Sequence, residues 1–383
     1  MSGPVEAGRA PEGGARAWAG ATRILCVRLD NMGDVLMCTP AMRALAQAVP
    51  GRRLTLLAST AAAAVAPFIP ELGGVLTYAA PWVKGGKGGA VADANATREL
   101  AGRLRAACFD GAVIFSSFSQ SALPAALLCF EAGIPLRLAH CRENPYQLLT
   151  DWVGDPEPEQ GIRHEVRRQL SLVAHLGCRP DNERLSFAVR EADLEWVRRR
   201  LRPLPGGGAR PWVLMHPGAS APSRRYPPGR WAGVVRRLTS EQGLQVVLSG
   251  EAGDAESIAA IIRESGACAS SVHSLAGELD LGKLGAAIAQ ASVFVSNNTG
   301  PAHIAAALGT PVVDLYALTN PQHTPWQVES RVLFHDVPCR YCYKSVCPQG
   351  HHKCLAGVEP ETVVAAVRSL LDGRTRGGSA AKP

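Results

Sequence analysis

Aromatic side chains make up only 5% of this 383-residue chain, and methionine occurs five times. A core so short of large side chains has to be assembled from small aliphatic residues, which suits tight helix-on-sheet packing. Long apolar runs are missing too. The longest, residues 122–130, contains Pro124 and falls well short of the roughly 18–20 residues a membrane-spanning helix needs. Residues 1–22 are rich in Gly, Ala and Pro without the apolar stretch of a secretory signal, and read as a disordered leader. The expected location is therefore the cytoplasm, with room for peripheral contact at a membrane face. No aromatic-rich basic stretch accompanies the dispersed Lys and Arg residues, which excludes nucleic acid as a partner. The formal net charge of +7 is either an ordinary solvated surface or an attraction to something anionic.

What is present fits a globular enzyme, with 46% hydrophobic and 19% charged residues. At this length one hydrophobic core usually gives way to two. Strand signals at residues 23–28, 54–58 and 111–115 alternate with helix signals at 34–48 and 97–107, and a further helix is expected at 164–176. The alternation recurs at residues 212–315, with helices at 229–241, 254–265, 281–289 and 301–308. Short apolar strands alternating with amphipathic helices predict parallel sheets covered on both faces. The fold class is α/β, with two Rossmann-like doubly wound domains and a cleft between the carboxyl ends of their strands. The N-terminal domain is placed at 23–197 and a Pro- and Gly-rich linker at 198–210. The C-terminal domain spans 211–359, followed by a helix at 360–372 and a disordered tail at 373–383.

Four strand ends carry candidate chemistry. Asn298-Thr299-Gly300-Pro301 joins a strand to a helix, with Asn298 or Thr299 as N-cap and Pro301 in the first turn. Its amides and positive dipole end suit a diphosphate, although a plain well-capped turn would look the same. His216-Pro217-Gly218-Ala219-Ser220 follows another strand, and Arg224 and Arg225 beyond it can fork onto phosphate oxygens or simply face solvent. Asp254 can accept hydrogen bonds from ribose hydroxyls or merely start a helix. In the first half, Asp34 stands in the first turn of a helix, either satisfying the dipole or acting as a general base.

Taken in order, Asn31-Met32-Gly33-Asp34, His216-Pro217-Gly218-Ala219, Leu275-Ala276-Gly277 and Asn298-Thr299-Gly300-Pro301-Ala302-His303 resemble glycosyltransferase family 9, the heptosyltransferases of lipopolysaccharide core synthesis. The resemblance extends over residues 23–371 and implies a GT-B enzyme. It implies inverting transfer, without a catalytic cofactor, from a nucleotide sugar such as ADP-heptose to a hydroxyl of a glycolipid or glycan acceptor. Such an enzyme would work at the cytoplasmic face of the inner membrane. The N-terminal domain would bind the acceptor and the C-terminal domain the donor. On this reading Asp34 is the base, while His216, Ser220, Arg224, Asp254, Asn298, Thr299, Gly300 and His303 bind the donor. His303 would touch the donor or orient the loop. Many members carry Asp where this chain has Asn298, which bears on the sugar recognised. The rival readings are a nucleotide-sugar-binding metalloprotein without transferase activity and a nucleotide-sugar epimerase of similar plan.

Seven of the eleven cysteines are scattered, but Cys339-x2-Cys342-x4-Cys347-x6-Cys354 forms a cluster. Four thiols so close together read as a structural zinc site, with an iron–sulfur cluster or free thiols as the alternatives.

Overall fold

The structure, a computed structural model, describes residues 17–83, 93–202 and 211–376. The chain divides into two compact units, residues 1–186 and 187–383.

In the first unit the strands are β1 (Arg23–Arg28), β2 (Arg53–Ala58), β3 (Leu72–Thr77), β4 (Gly111–Ile114), β5 (Leu136–Cys141) and β6 (Asp151–Gly154). They form one parallel sheet in the order β3-β2-β1-β4-β5-β6. β1 is central: Ile24 lies opposite both Leu54 and Gly111, and all of β1 after Arg23 is buried. Strands enclosed on both faces need continuous apolar runs, which is why β1, β2 and β4 are conspicuous in the sequence. Helix α1 (Met32–Ala48) packs beside α2 (Glu165–Ala174), and most of α1 is buried, from Gly33 to Leu45.

The second unit repeats the plan. Its strands are β7 (Trp212–His216), β8 (Gln245–Leu248), β9 (Val272–Ser274), β10 (Val293–Asn297), β11 (Val312–Leu315) and β12 (Ser330–Leu333). All pairings are parallel, in the order β12-β11-β10-β7-β8-β9. Numbered from its own first strand, this is the same order as in the first unit. Helix α3 (Pro360–Arg376) closes over a core that includes Val213, Met215, Trp231, Val295 and Val313. No helix among the described residues is long and apolar enough to cross a membrane.

Three expected boundaries move, one of them the end of the closing helix, which runs to Arg376 rather than to residue 372. The units part after Ser186, ahead of the 198–210 segment expected as linker, because Phe187 onward belongs to the second core. Phe187 fills the space that a side chain at Gly285 would need, and helix Glu191–Arg200 lies along helix Leu281–Gln290. Arg200 seals this docking through its ion pair with Glu278 at 2.6 Å. Residues 203–210 lie outside the described residues. The disordered leader expected over 1–22 is also too long. Trp18 is 2% exposed, donates from Nε1 to Asp151 Oδ2 at 2.9 Å, and lies where a Cβ on Gly111 would clash. Arg52 reinforces it by donating from Nε to the Ala21 carbonyl at 2.8 Å. Residues 1–16 and 377–383, the remaining parts of the expected leader and tail, lie outside the described residues.

Trp18→Ala removes a buried indole and leaves Asp151 Oδ2 with only the Thr150 hydroxyl as donor, so it is expected to destabilise the first unit by about 3–5 kcal/mol. Urea unfolding followed by circular dichroism measures this, and an unchanged midpoint would contradict the packing.

Candidate active site

In a doubly wound sheet the ligand crevice opens where the strand order reverses, outside the carboxyl ends of the first and fourth strands. In the first unit that point lies beyond β1 and β4. Asp34 is found there, in the first turn of α1, and forms a reciprocal cap with Asn31. Its Oδ2 accepts from the Asn31 backbone N–H at 3.1 Å and from the Asn31 side-chain amide at 3.3 Å. Its Oδ1 faces Arg28 Nη2 at 3.3 Å.

Arg28, the last residue of β1, was not singled out in the sequence. It is 1% exposed, and three carboxylates surround it. Nη1 donates to Glu165 Oε1 at 2.6 Å, and Nε lies 2.9 Å from Asp30 Oδ2 without hydrogen-bond alignment. Glu165, also buried, accepts from Gln169 at 2.8 Å, and Asp30 accepts from Gln120 Nε2 at 2.5 Å. Burial pushes the Asp30 carboxyl up, against the pull of Arg28 and with Asp34 adding repulsion. The sequence signal for this network was a charged residue ending an otherwise apolar buried strand. Only the fold reveals its partners, since Glu165 arrives from 137 positions away.

In the second unit the reversal lies beyond β7 and β10. Asn297, which sequence reasoning also passed over, ties the two strand ends together. Its amide donates to the Pro217 carbonyl at 2.7 Å, and its Oδ1 accepts from the Tyr226 backbone N–H at 3.0 Å. Thr299 occupies the N-cap position of α4 (Gly300–Leu308) as expected, but makes no side-chain cap. Its hydroxyl instead turns back to the Asn297 carbonyl at 3.2 Å. The first turn of α4 therefore lacks the side-chain oxygen that usually occupies such amides. His303 is buried within α4.

Asn298 is buried, and its amide donates to Asp314 Oδ2 at 3.0 Å and to the His323 carbonyl at 2.9 Å. Asp314, at the end of β11, also went unremarked in the sequence. It is fully buried with Oδ1 unpartnered, and desolvation raises it to about 7 although Asn298 and Arg224 both pull it down. Arg224, in the turn Pro222–Arg224, is thus electrically coupled to the Asn298–Asp314 pair.

His216 and Asp254 meet on the other side of β7. A Cβ on Gly218 would come within 2.9 Å of Asp254 Oδ2 and 3.2 Å of His216 Nε2, so glycine serves here as clearance. Asp254 Oδ2 accepts from the Glu251 N–H at 3.0 Å, and His216 Nδ1 lies 3.1 Å from Ser249 Oγ. His216 keeps a little solvent contact, yet desolvation pulls its imidazole down to about 4 against the opposing effect of Asp254. Ser220 stays exposed on the loop. The structure therefore gathers His216, Arg224, Asp254 and the 298–300 turn at the strand ends of one sheet.

Comparison with known proteins identifies the family. Residues 97–353 match the model of glycosyltransferase family 9 (heptosyltransferase). The chain belongs to that family. It is 27% identical over 363 residues to lipopolysaccharide heptosyltransferase 2 of Escherichia coli K12, covering 91% of this chain and 98% of that one. Among solved structures, a family 9 glycosyl transferase from Veillonella parvula superposes with a TM-score of 0.73 at 21% identity, covering 92% of this chain and 98% of its own. The Escherichia coli ADP-heptose LPS heptosyltransferase II superposes at 0.70 and 24%, covering 92% of this chain and 99% of that one. This family 9 chain is thus a glycosyltransferase with the α/β plan of the GT-B enzymes.

Two outcomes follow. Arg28→Met would leave buried carboxylates without their cation and is expected to cost about 3–5 kcal/mol in denaturant unfolding, whereas an unaltered midpoint would show the network to be incidental. The second concerns Asp314, whose pKa is raised from 3.8 to about 7 on folding. The folded chain therefore holds this proton more tightly, giving a stability contribution complete below about pH 4 and lost as the pH rises to about 7. Asp314→Asn keeps an acceptor for Asn298 and should raise the melting temperature at about pH 8 but not near pH 4. Equal shifts at both pH values would refute the assignment.

Proposed function

We propose that this glycosyltransferase moves heptose from ADP-heptose to a hydroxyl of a lipopolysaccharide core acceptor, with inversion at the anomeric carbon. The observation that carries the donor half is the α4 N-terminus without a side-chain cap, together with Arg224, whose charge is felt at Asp314 behind Asn298. Helix amides and a guanidinium at one strand edge match a diphosphate in charge and geometry. Asp254 and His216 border that edge where a nucleoside would continue.

Asp34 supplies the base. The acceptor hydroxyl gives its proton to the Asp34 carboxylate as its oxygen bonds to the anomeric carbon. The bond from that carbon to the diphosphate oxygen breaks on the opposite face, and ADP departs with the electron pair. Negative charge growing on the diphosphate is met by the Thr299–Gly300 turn and Arg224, in the manner of an oxyanion hole. Arg28 positions Asp34 from behind, while the Asn31 cap holds Oδ2 and leaves the carboxylate anchored in one orientation.

The relatives named as lipopolysaccharide heptosyltransferases support heptose as the sugar and a core glycolipid as the acceptor. Such an acceptor would bring the enzyme to the cytoplasmic face of the inner membrane as a peripheral visitor. Asn298 is held by the buried Asp314 one strand over, so an acidic side chain still stands behind the position where many members carry Asp.

The decisive assay follows ADP release from ADP-heptose with a truncated core glycolipid. Asp34→Ala is expected to lower kcat by about 10²–10⁴-fold while ADP still binds with wild-type affinity by calorimetry. Turnover surviving that change would remove Asp34 from the mechanism, and preference for a UDP- or GDP-sugar would overturn the donor.

A further inference from the structure

The cysteine segment runs from the end of β12 to the short helix Lys353–Ala356, almost without regular structure. Its backbone enters the left-handed region at three non-glycine residues, Tyr341 (φ 60°), Tyr343 (φ 53°) and His352 (φ 48°). Such conformations are unfavourable for L-residues and persist only where the surroundings impose them. The contacts that impose them here lead to one place. Cys339, Cys342, Cys347, Cys354, His351 and His352 all line a cavity of about 20 Å³, room for one water-sized particle.

The chemistry of that cavity is unsuited to water. Its lining is nearly all sulfur and carbon, and a buried water needs several polar partners. Cys339 Sγ lies 3.8 Å from His351 Nε2. Cys347 opens a turn closed by the Gly350 N–H on the Cys347 carbonyl at 3.2 Å, and its side chain shares the cavity with those of Cys339, Cys342 and Cys354. In the ion-free arrangement, no three side chains among the described residues stand close enough together to grip a metal. Rotation about χ1 of the cysteines, three of them on irregular chain and Cys354 in the short helix Lys353–Ala356, is the motion that would close them.

The segment is also bound to the donor side of the unit. Ser223 donates from its backbone N–H to the Ser345 carbonyl at 3.0 Å and from its hydroxyl to the Lys344 carbonyl at 2.9 Å. Tyr341 and Tyr343 donate to the carbonyls of Leu318 and Thr319 at 2.6 and 2.8 Å, within the loop that follows β11. Ser223 immediately precedes Arg224. Whatever stiffens the cysteine segment therefore stiffens the turn that carries the arginine.

We propose that Cys339, Cys342, Cys347 and Cys354 close around one thiophilic divalent ion, Zn²⁺ by ligand set, which braces the Ser223–Arg224 turn. Four cysteines fill a tetrahedral shell and leave no open position, so the ion is structural. Binding displaces a proton from each thiol still protonated, and affinity rises with pH accordingly. This proposal is independent of the donor and acceptor named above.

The experiment uses the full chain, purified without chelator. Elemental analysis is expected to find one zinc per chain, and Co²⁺ in place of zinc should show thiolate-to-metal charge-transfer absorption. Stripping the ion should lower the melting temperature, Zn²⁺ alone should restore it, and exchange of the Ser223 amide should accelerate in the stripped protein. Cys347→Ser with Cys354→Ser should abolish zinc retention; should that variant not fold, the stripping and refilling of wild-type protein still decide the matter. No stoichiometric transition metal, or thiols found paired as disulfides by mass spectrometry, would overturn the site. Stoichiometric iron would keep the site and overturn zinc. Unchanged Ser223 exchange after stripping would overturn the brace.

Discussion

In each sheet the first strand lies between the second and the fourth, so the connections leaving the first and fourth strands turn to opposite faces. That divergence leaves a gap at the carboxyl edge which no crossover covers, and the functional candidates of both units lie along it. Arg28, Asp30 and Asp34 follow the first strand of one unit. His216, Asn297 and the Thr299–Gly300 turn follow the first and fourth strands of the other. Because the strands within each sheet are parallel, the strand ends of that sheet share one edge, and a helix N-terminus comes with each crossover.

The two edges handle buried charge in opposite ways. In the first unit a single fully buried guanidinium is surrounded by three acidic side chains, so that one cation offsets part of their mutual repulsion in a region little accessible to water. Such a cluster contributes little net stability compared with an apolar core, but it holds its members in a fixed geometry. A base that must meet a hydroxyl at the correct angle benefits from that restraint. In the second unit Asp314 lies too deep to ionise readily, and its partner is a neutral amide. A site that receives a diphosphate gains by keeping that carboxyl protonated.

The strands legible in the sequence were those enclosed on both faces. β3, β6, β9 and β12 form the four sheet edges; they are partly exposed, so no apolar run announced them. β5 was hidden by Arg137 and His140 within Leu-Arg-Leu-Ala-His-Cys, both buried by partners that the fold brings. The same logic separates the site residues. Asp34, His216 and Thr299 stand within a few positions of a strand end and could be read from local pattern. Arg28, Asn297 and Asp314 also stand in the last two positions of their strands, but they match no local motif, and a polar residue there has meaning only once its distant partners are known.

Sequence alone determined the two α/β units, the family resemblance and the turns that could receive a phosphate, because these depend on periodicity and on residues a few positions apart. Tertiary structure alone decided where the units divide, that Trp18 is core, that Arg28 meets Glu165, and that Asn298 pairs with the buried Asp314. It also gathered the four cysteines around one small cavity. Each of these is a pairing between segments far apart in the chain, and the sheet order that joins them is set by packing, which no local pattern encodes.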